Sequence, residues 1–344
     1  MSEKNRLEKT TEFVKEKRLD YLYIEDPTDI FYLTGLKMSF GKLLISKDGS
    51  TVFADGRYFE EVKGKSPCEV MLYKRMEFEE DLFSKFTMIG FDSDKTPYSA
   101  FQKMSEKNAK VIPIASPLRS LRMIKDSKEI TKMRMAAKIT WSAFEYLASK
   151  LKVGVSEKEL EGLFESFIKS EGADGHAFAP GISFGKNSAY PHHRPDGTGL
   201  QDGDLVLIDI GAKVDGYCAD MTRVIFFGTP DPFLQKIDCL VKRAHGKVLT
   251  LVKPGMRIGD LDYAAREVFK EEGLEDKFTH SLGHGIGMDV HEAPFIRVDC
   301  KDKDVILEPG MVFTVEPGLY FPGIGGVRYE DMICVTTEGY ENFF

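Results

Sequence analysis

The sequence predicts an α/β domain followed by an α+β domain built from an internal pseudo-twofold duplication. Three observations carry that prediction. The chain has 344 residues, and at roughly 150 residues per domain that length suggests two domains. Its first third interleaves short β-like runs with helices, the pattern of a small α/β unit. A segment of the remainder recurs at a fixed offset of 101 residues, Leu151–Gly172 matching Val252–Gly273.

In chain order, a charged helix is expected over about 3–18, with Leu7 and Val14 on one side. β-like runs follow at Tyr21–Ile24, Leu43–Ile45 and Thr51–Phe53, the last two joined by the hairpin signal Lys47-Asp48-Gly49-Ser50. Further strands are expected at Val70–Tyr73, Met88–Phe91 and Val111–Ile114, with a helix near 98–108. A boundary falls within Pro113–Lys125, giving domains 1–119 and 120–344. Asp126-Ser127-Lys128-Glu129 has the pattern of a capping box opening a helix. Ile130, Met133, Ala137, Trp141, Phe144 and Ala148 recur there at helical spacing, and Trp141 reads as core packing.

The two copies of the repeat are identical at Lys152, Gly154, Leu160, Lys169, Glu171 and Gly172 and their partners Lys253, Gly255, Leu261, Lys270, Glu272 and Gly273. Each copy leads to a strand running from a glycine to an acid, Gly203 to Asp209 and Gly310 to Glu316. Two half-units facing each other would bring those acids to a common centre.

Composition narrows the function. Net charge is −8, from 47 basic and 55 acidic residues, and no basic block occurs. Nucleic acid is therefore not an expected partner, because neutralising phosphates needs clustered Lys and Arg. The five cysteines are odd in number and widely spaced, which reads as reduced thiols. No apolar run approaches the ~20 residues of a membrane helix, and the N-terminus lacks the apolar stretch of a signal peptide. A cytoplasmic protein without a membrane partner is expected.

The chemistry lies in acids set among apolar residues. Asp209 sits in Leu205-Val206-Leu207-Ile208-Asp209-Ile210 and Asp220 opens Asp220-Met221-Thr222-Arg223-Val224 after a turn near Asp215-Gly216. With a two-residue turn, both carboxylates share one face as opposite or diagonal neighbours. A bare buried carboxylate is costly unless paired, protonated or metal-bound. Glu316 and Glu330 lie in similar β-like stretches, although Arg328 and Glu330 share a face and could form a simple ion pair. His280, His284 and His291 fall within twelve positions beside Gly283, Gly285 and Gly287, which favours a loop or bulged strand approaching a site. Glu292, Asp215 and Asp331 read as turn or solvent residues. Four buried acids and a histidine suit paired Mn²⁺, Co²⁺, Fe²⁺ or Zn²⁺ ions. Two such ions about 3.5–4 Å apart can activate a water and polarise a carbonyl, which is hydrolytic chemistry.

These residues resemble a known family. Asp209-Ile210-Gly211-Ala212 with Asp220-Met221-Thr222-Arg223, His284-Gly285-Ile286-Gly287 with His291-Glu292-Ala293-Pro294, Val315-Glu316-Pro317-Gly318 and Arg328-Tyr329-Glu330-Asp331 are similar to the aminopeptidase P and prolidase branch of the pita-bread metallopeptidases. The stretch Asp29-Ile30-Phe31-Tyr32-Leu33-Thr34-Gly35 resembles the creatinase-like domain that precedes the pita-bread catalytic domain in that branch. The resemblance implies Asp209, Asp220, His284, Glu316 and Glu330 as ligands of two divalent ions, foremost Mn²⁺, with Asp220 and Glu330 bridging. It implies Glu316 as acid/base, His192 as a substrate contact, His280 and His291 as holders of substrate and carriers of protons, and Arg328 as a support for a bridging acid. His193 receives no role. The activity implied first is an Xaa-Pro aminopeptidase acting on peptides with proline in second position. An Xaa-Pro dipeptidase (prolidase) is the alternative, with methionine aminopeptidase and an inactive binding module behind it. A homodimer is compatible with the resemblance, but no interface is legible in the sequence.

Overall fold

The computed structural model describes every residue except 76–77, 79–87 and 107–109. The chain separates into two compact units, Met1–Leu121 and Arg122–Phe344.

Unit 1 contains α1 (Glu3–Glu16), β1 (Tyr21–Ile24), α2 (Pro27–Thr34), β2 (Gly41–Ser46), β3 (Ser50–Ala54), α3 (Phe59–Val62), β4 (Glu69–Leu72), β5 (Met88–Asp92), α4 (Tyr98–Ser105) and β6 (Lys110–Ile114). The strands form one mixed sheet in the order β4-β3-β2-β1-β5-β6. The hairpin read at Lys47–Ser50 joins β2 to β3, with Ile45 facing Ser50. Around α2, Asp26 caps the N-terminus and Pro27 sits in the first turn, where its missing N–H costs nothing. Residues 107–108 of the helix expected near 98–108 lie outside the described residues.

Unit 2 opens with α5 (Ser127–Ala148), whose capping box is present: the Asp126 side chain accepts from the Lys128 and Glu129 amides while Glu129 reaches back. Its buried face runs through Met133, Ala136, Ala137, Thr140, Ala143 and Leu147. Trp141 is not core. It is 37% exposed, one position off that face, with its ring near Phe144 and the Arg223 guanidinium. Trp141 lies four residues after Ala137, but the centre of the stripe passes through Thr140 instead.

The duplication governs the rest of unit 2. After α5 come α6 (Glu157–Ser170), β7 (Gly175–His176), β8 (Gly181–Phe184), β9 (Leu205–Ile210), β10 (Ala212–Val214), β11 (Tyr217–Cys218) and β12 (Met221–Phe226). The second half has α7 (Pro232–Leu249), α8 (Ile258–Glu271), β13 (Gly283–Gly285), β14 (Glu292–Ile296), β15 (Val312–Val315), β16 (Gly318–Phe321), β17 (Gly325–Arg328), β18 (Asp331–Val335) and β19 (Tyr340–Asn342). Moving α6 by 101 residues lands on both ends of α8. The strands pair as β12-β9-β8 in the first half and β14-β13-β15-β18-β19 in the second. An antiparallel bridge between Thr222 and Glu330 ties the two sheets together, the Glu330 N–H donating to the Thr222 carbonyl at 3.2 Å. Among the described residues no helix is long and apolar enough to cross a membrane.

Candidate metal centre

Each half delivers two acids from one antiparallel strand pair. In the first half, β10 and β11 close on the two-residue turn Asp215-Gly216, both residues at positive φ (47° and 83°), as a type I′ hairpin turn demands. The same register continues into β9 and β12, where Thr222 faces Asp209. Asp220, two residues before Thr222, is thereby a diagonal neighbour of Asp209 on the same face. In the second half Val315 faces Asp331, and the next position of that register sets Glu316 across from Glu330.

His284 reaches the acids from β13. A Cβ on Gly283 would lie 2.0 Å from the Thr314 carbonyl, and one on Gly285 would lie 2.2 Å from the Ala293 carbonyl. Only glycine lets the flanking strands close that far, and a register shift between His284 and Gly285 aims the ring. The imidazole Nδ1–H donates to the Gly285 carbonyl at 3.1 Å, which leaves the Nε2 lone pair directed inward. There it stands 3.6 Å from Asp220 Oδ2 and 3.5 Å from Glu316 Oε1.

Those distances carry a test of metal fit. Burial holds His284 neutral, its pKa brought down to about 3, with the nearby His291 adding to the effect. A neutral Nε2 lone pair facing two carboxylate oxygens is repulsive unless a cation stands between them. Ligand atoms of Asp220, His284 and Glu330 lie within 4.8 Å of one another. Asp209 Oδ1 is buried and meets no hydrogen-bond partner among the described residues. Burial pushes the Asp220 and Glu316 carboxyls well above the usual range, each also repelled by the charge of Glu330. Burial likewise raises Asp209, against the pull of Arg328, and lifts Glu330 to about 8, with Asp209 repelling it. Five donors, one orphaned oxygen and mutually repelling acids fit divalent cations, and the absence of thiolates from the donor set distinguishes it from a structural zinc site.

Around the acids runs a chain of hydrogen bonds. The Arg328 guanidinium pairs with Asp209 Oδ2, donates to Thr222 Oγ1 at 2.9 Å, and donates to the Tyr320 hydroxyl at 2.8 Å. The Thr222 hydroxyl in turn donates a hydrogen bond to Glu330 Oε2 at 2.6 Å. The ion pair of Arg328 is thus made with Asp209 across the halves, and Glu330 is reached through the Thr222 hydroxyl. His280 donates from Nδ1 to the Ser281 carbonyl at 2.8 Å, so Nε2 accepts from the Tyr320 hydroxyl at 2.9 Å. Burial keeps His280 neutral, at about 3, and pushes Tyr320 up to about 12. The His291 ring lies 4.3 Å from that of His284, and burial lowers its pKa, helped by His192.

One cavity of about 370 Å³ is lined by the five donor residues together with His192, His280, His291 and Arg328. Sequence reasoning misses Thr222, Thr314 and Tyr320. Thr222 and Thr314 carry a signal in strand period, Thr222 opposite Asp209 and Thr314 two residues before Glu316. Tyr320 carries none. The structure corrects two sequence-based expectations. Glu292 is not a solvent residue: its side chain is 9% exposed and accepts from Lys125 Nζ at 2.8 Å and Arg122 Nη2 at 2.5 Å. Asp331 is 2% exposed and accepts from Arg223 at 2.5 Å and Asn342 at 2.8 Å. The basic partners Arg122 and Arg223 lie more than a hundred residues away, out of reach of local pattern.

Comparison with known proteins identifies the family. Residues 131–337 match metallopeptidase family M24, and residues 6–124 match the creatinase/prolidase N-terminal domain. The chain is 34% identical to the Xaa-Pro dipeptidase of Pyrococcus furiosus, over 98% of this chain and 96% of that one. A solved Xaa-Pro dipeptidase from Bacillus anthracis superimposes with a TM-score of 0.94 at 33% identity, covering 99% and 97% of the two chains. An X-Pro aminopeptidase from Thermotoga maritima gives 0.86 at 33% identity, covering 95% and 96%.

Proposed function

The chain belongs to metallopeptidase family M24, a metal-dependent peptidase with a creatinase/prolidase N-terminal domain, and from that premise we propose that it is an Xaa-Pro dipeptidase. The observation that carries this reading is the likeness, nearly end to end, to Xaa-Pro dipeptidases at a third identity. It moves the preferred activity from the aminopeptidase expected first to the dipeptidase held as its alternative. The Thermotoga likeness keeps aminopeptidase action as the second reading. The proposed domain limits are 1–119 and 120–344.

In this reading Asp209, Asp220, His284, Glu316 and Glu330 hold two divalent ions, foremost Mn²⁺. When bound, the ions polarise the scissile carbonyl and acidify water. Glu316, beside His284 and 4.0 Å from His280 Nδ1, takes the proton released by the nucleophilic water and returns it toward the proline nitrogen. The tertiary amide nitrogen of the Xaa-Pro bond takes up that proton as the C–N bond breaks, so that proline leaves as a neutral secondary amine. His291 and His192 face the substrate carbonyl and backbone from the cavity wall. Arg328 pins Asp209 and, through Thr222, Glu330, so the acids keep their spacing when charge changes. The hydroxyl of Tyr320 fixes His280 with Nε2 as acceptor.

The test is a pair of substrates. Enzyme stripped by chelator and reloaded with Mn²⁺ is given Xaa-Pro and Xaa-Pro-Yaa. A dipeptidase cleaves the first and leaves the second largely intact. Preference for the tripeptide returns the assignment to aminopeptidase, and no cleavage of either with any divalent ion removes the reading.

A further inference from the structure

Beside the cavity, Glu157 is a fully buried carboxylate that the reaction does not use. It stands in the first turn of α6, where the helix dipole favours a negative charge. Four donors converge on it. Oε1 accepts from the Phe184 N–H at 2.8 Å and the Asn187 amide at 2.9 Å. Oε2 accepts from His193 Nε2 at 2.7 Å and the Asp196 N–H at 3.1 Å. Glu157, His193 and Asp196 also have the proximity of a metal group. The hydrogen bonds argue against that use: all four lone-pair directions of Glu157 are filled, and Asp196 Oδ1 is taken by the Thr198 N–H at 2.7 Å.

What these bonds hold is the loop from Tyr190 to Thr198. The start of α6 closes on it as well, the amides of Glu157 and Lys158 donating to the carbonyls of Thr198 and Asp196 at 3.2 and 3.1 Å. From this loop His192, His193 and Arg194 reach the cavity wall, His192 and Arg194 exposed and His193 turned back onto Glu157. The duplicated half supplies a control inside the same chain. At the equivalent start of α8 stands Ile258, fully buried. The helix-strand scaffold therefore accepts an apolar side chain at this point, and the carboxylate belongs to the half that carries the loop.

We propose that Glu157 is a positioning residue which, through His193, sets the loop presenting His192 and Arg194 to the substrate side of the cavity. The proposal rests on the peptidase reading above and adds to it a determinant of substrate binding outside the set of metal ligands. Glu157→Gln puts an amide where two N–H groups converge, and His193→Leu removes one donor. His193→Gln keeps an N–H that can reach the carboxylate.

Steady-state kinetics on an Xaa-Pro dipeptide, with bound Mn²⁺ counted in the same preparations, tests the role. Glu157→Gln and His193→Leu should raise KM about tenfold or more with kcat within about threefold. Metal content should stay at the wild-type level, and His193→Gln should recover most of the KM. An unchanged KM, or a fall of kcat, metal content and melting temperature together, overturns it. Hydrogen exchange over 184–199 reads the same loop without substrate: faster exchange at Phe184 and Asp196 in Glu157→Gln supports the proposal, and unchanged exchange overturns it. Wild-type protein inactive on every Xaa-Pro peptide would fail the peptide assignment alone, and the exchange result would then decide the loop.

Discussion

Glu292 and Glu330 lie in the same half of unit 2, with side chains almost sealed from water. At Glu292, burial alone would raise the carboxyl pKa, but the Lys125 ammonium and the Arg122 guanidinium more than cancel it and hold the group below its ordinary value. At Glu330, burial and the charge of Asp209 outweigh Arg328 and lift the pKa to about 8. Depth is common to both, so depth does not mark a site. The mark is charge left uncompensated by the protein itself. Glu292 is complete without a cofactor, whereas the cluster around Glu330 is complete only with cations.

The largest expected effect breaks the comparison at its metal end. Glu330→Gln should lower kcat/KM about a thousandfold or more, since in the proposed reading it removes a donor to the ions. Under chelator, however, the same variant should melt no lower than wild type, because one of several mutually repelling acids has gone. A variant that keeps kcat/KM within about tenfold, or that melts well below wild type when both are metal-free, would show Glu330 to be an ordinary structural acid.

Next in size is the opposite experiment. Glu292→Ala leaves Lys125 and Arg122 buried without this carboxylate, a change that typically costs about 3–5 kcal/mol. In a unit of this size the melting temperature should fall by roughly 10 °C. The loss should be the same with and without Mn²⁺, because no metal completes this pair. A fall seen only in the loaded protein would place Glu292 in the metal centre and erase the contrast.

The same contrast explains what can be read from sequence. Strand period, turn length and the 101-residue repeat are local or translational regularities. They are enough to predict two half-units and to put Asp209 and Asp220 on one face, which the two-residue turn at Asp215-Gly216 and the register of β9 with β12 bear out. Compensation of charge is not local. Nothing near Glu292 announces Arg122 and Lys125, and nothing near Arg328 announces that it pairs with Asp209 in the other half. For that reason Glu292 and Asp331 read as surface residues in the sequence, and an Arg328–Glu330 pair suggests itself where the structure interposes Thr222. Trp141 fails differently, through a phase error of one position on a long helix. Tyr320, whose hydroxyl joins Arg328 to His280, has no sequence signal because its role exists only once β16 and β17 pair.

The smallest effect is the most discriminating, because the two carboxylates predict slopes of opposite sign. Glu292 has a folded pKa below its unfolded one, so its contribution is present above the ordinary Glu range and is lost as pH falls through the folded value. Glu330 in metal-free protein has a folded pKa raised from the ordinary 4.5 to about 8. The folded state then binds the extra proton, and stability declines as pH rises across that window. Melting temperatures of chelated wild type should therefore drift down between about pH 5 and 8, while Mn²⁺-loaded protein, its acids neutralised by cations, should not, and the gap between the two should widen with pH. Glu330→Gln should flatten part of the chelated drift. Glu292→Gln should leave it intact and instead narrow its own deficit to wild type as pH drops below the Glu range. If the chelated and loaded curves run parallel from about pH 5 to 8, the acids of the cavity are compensated by the protein after all.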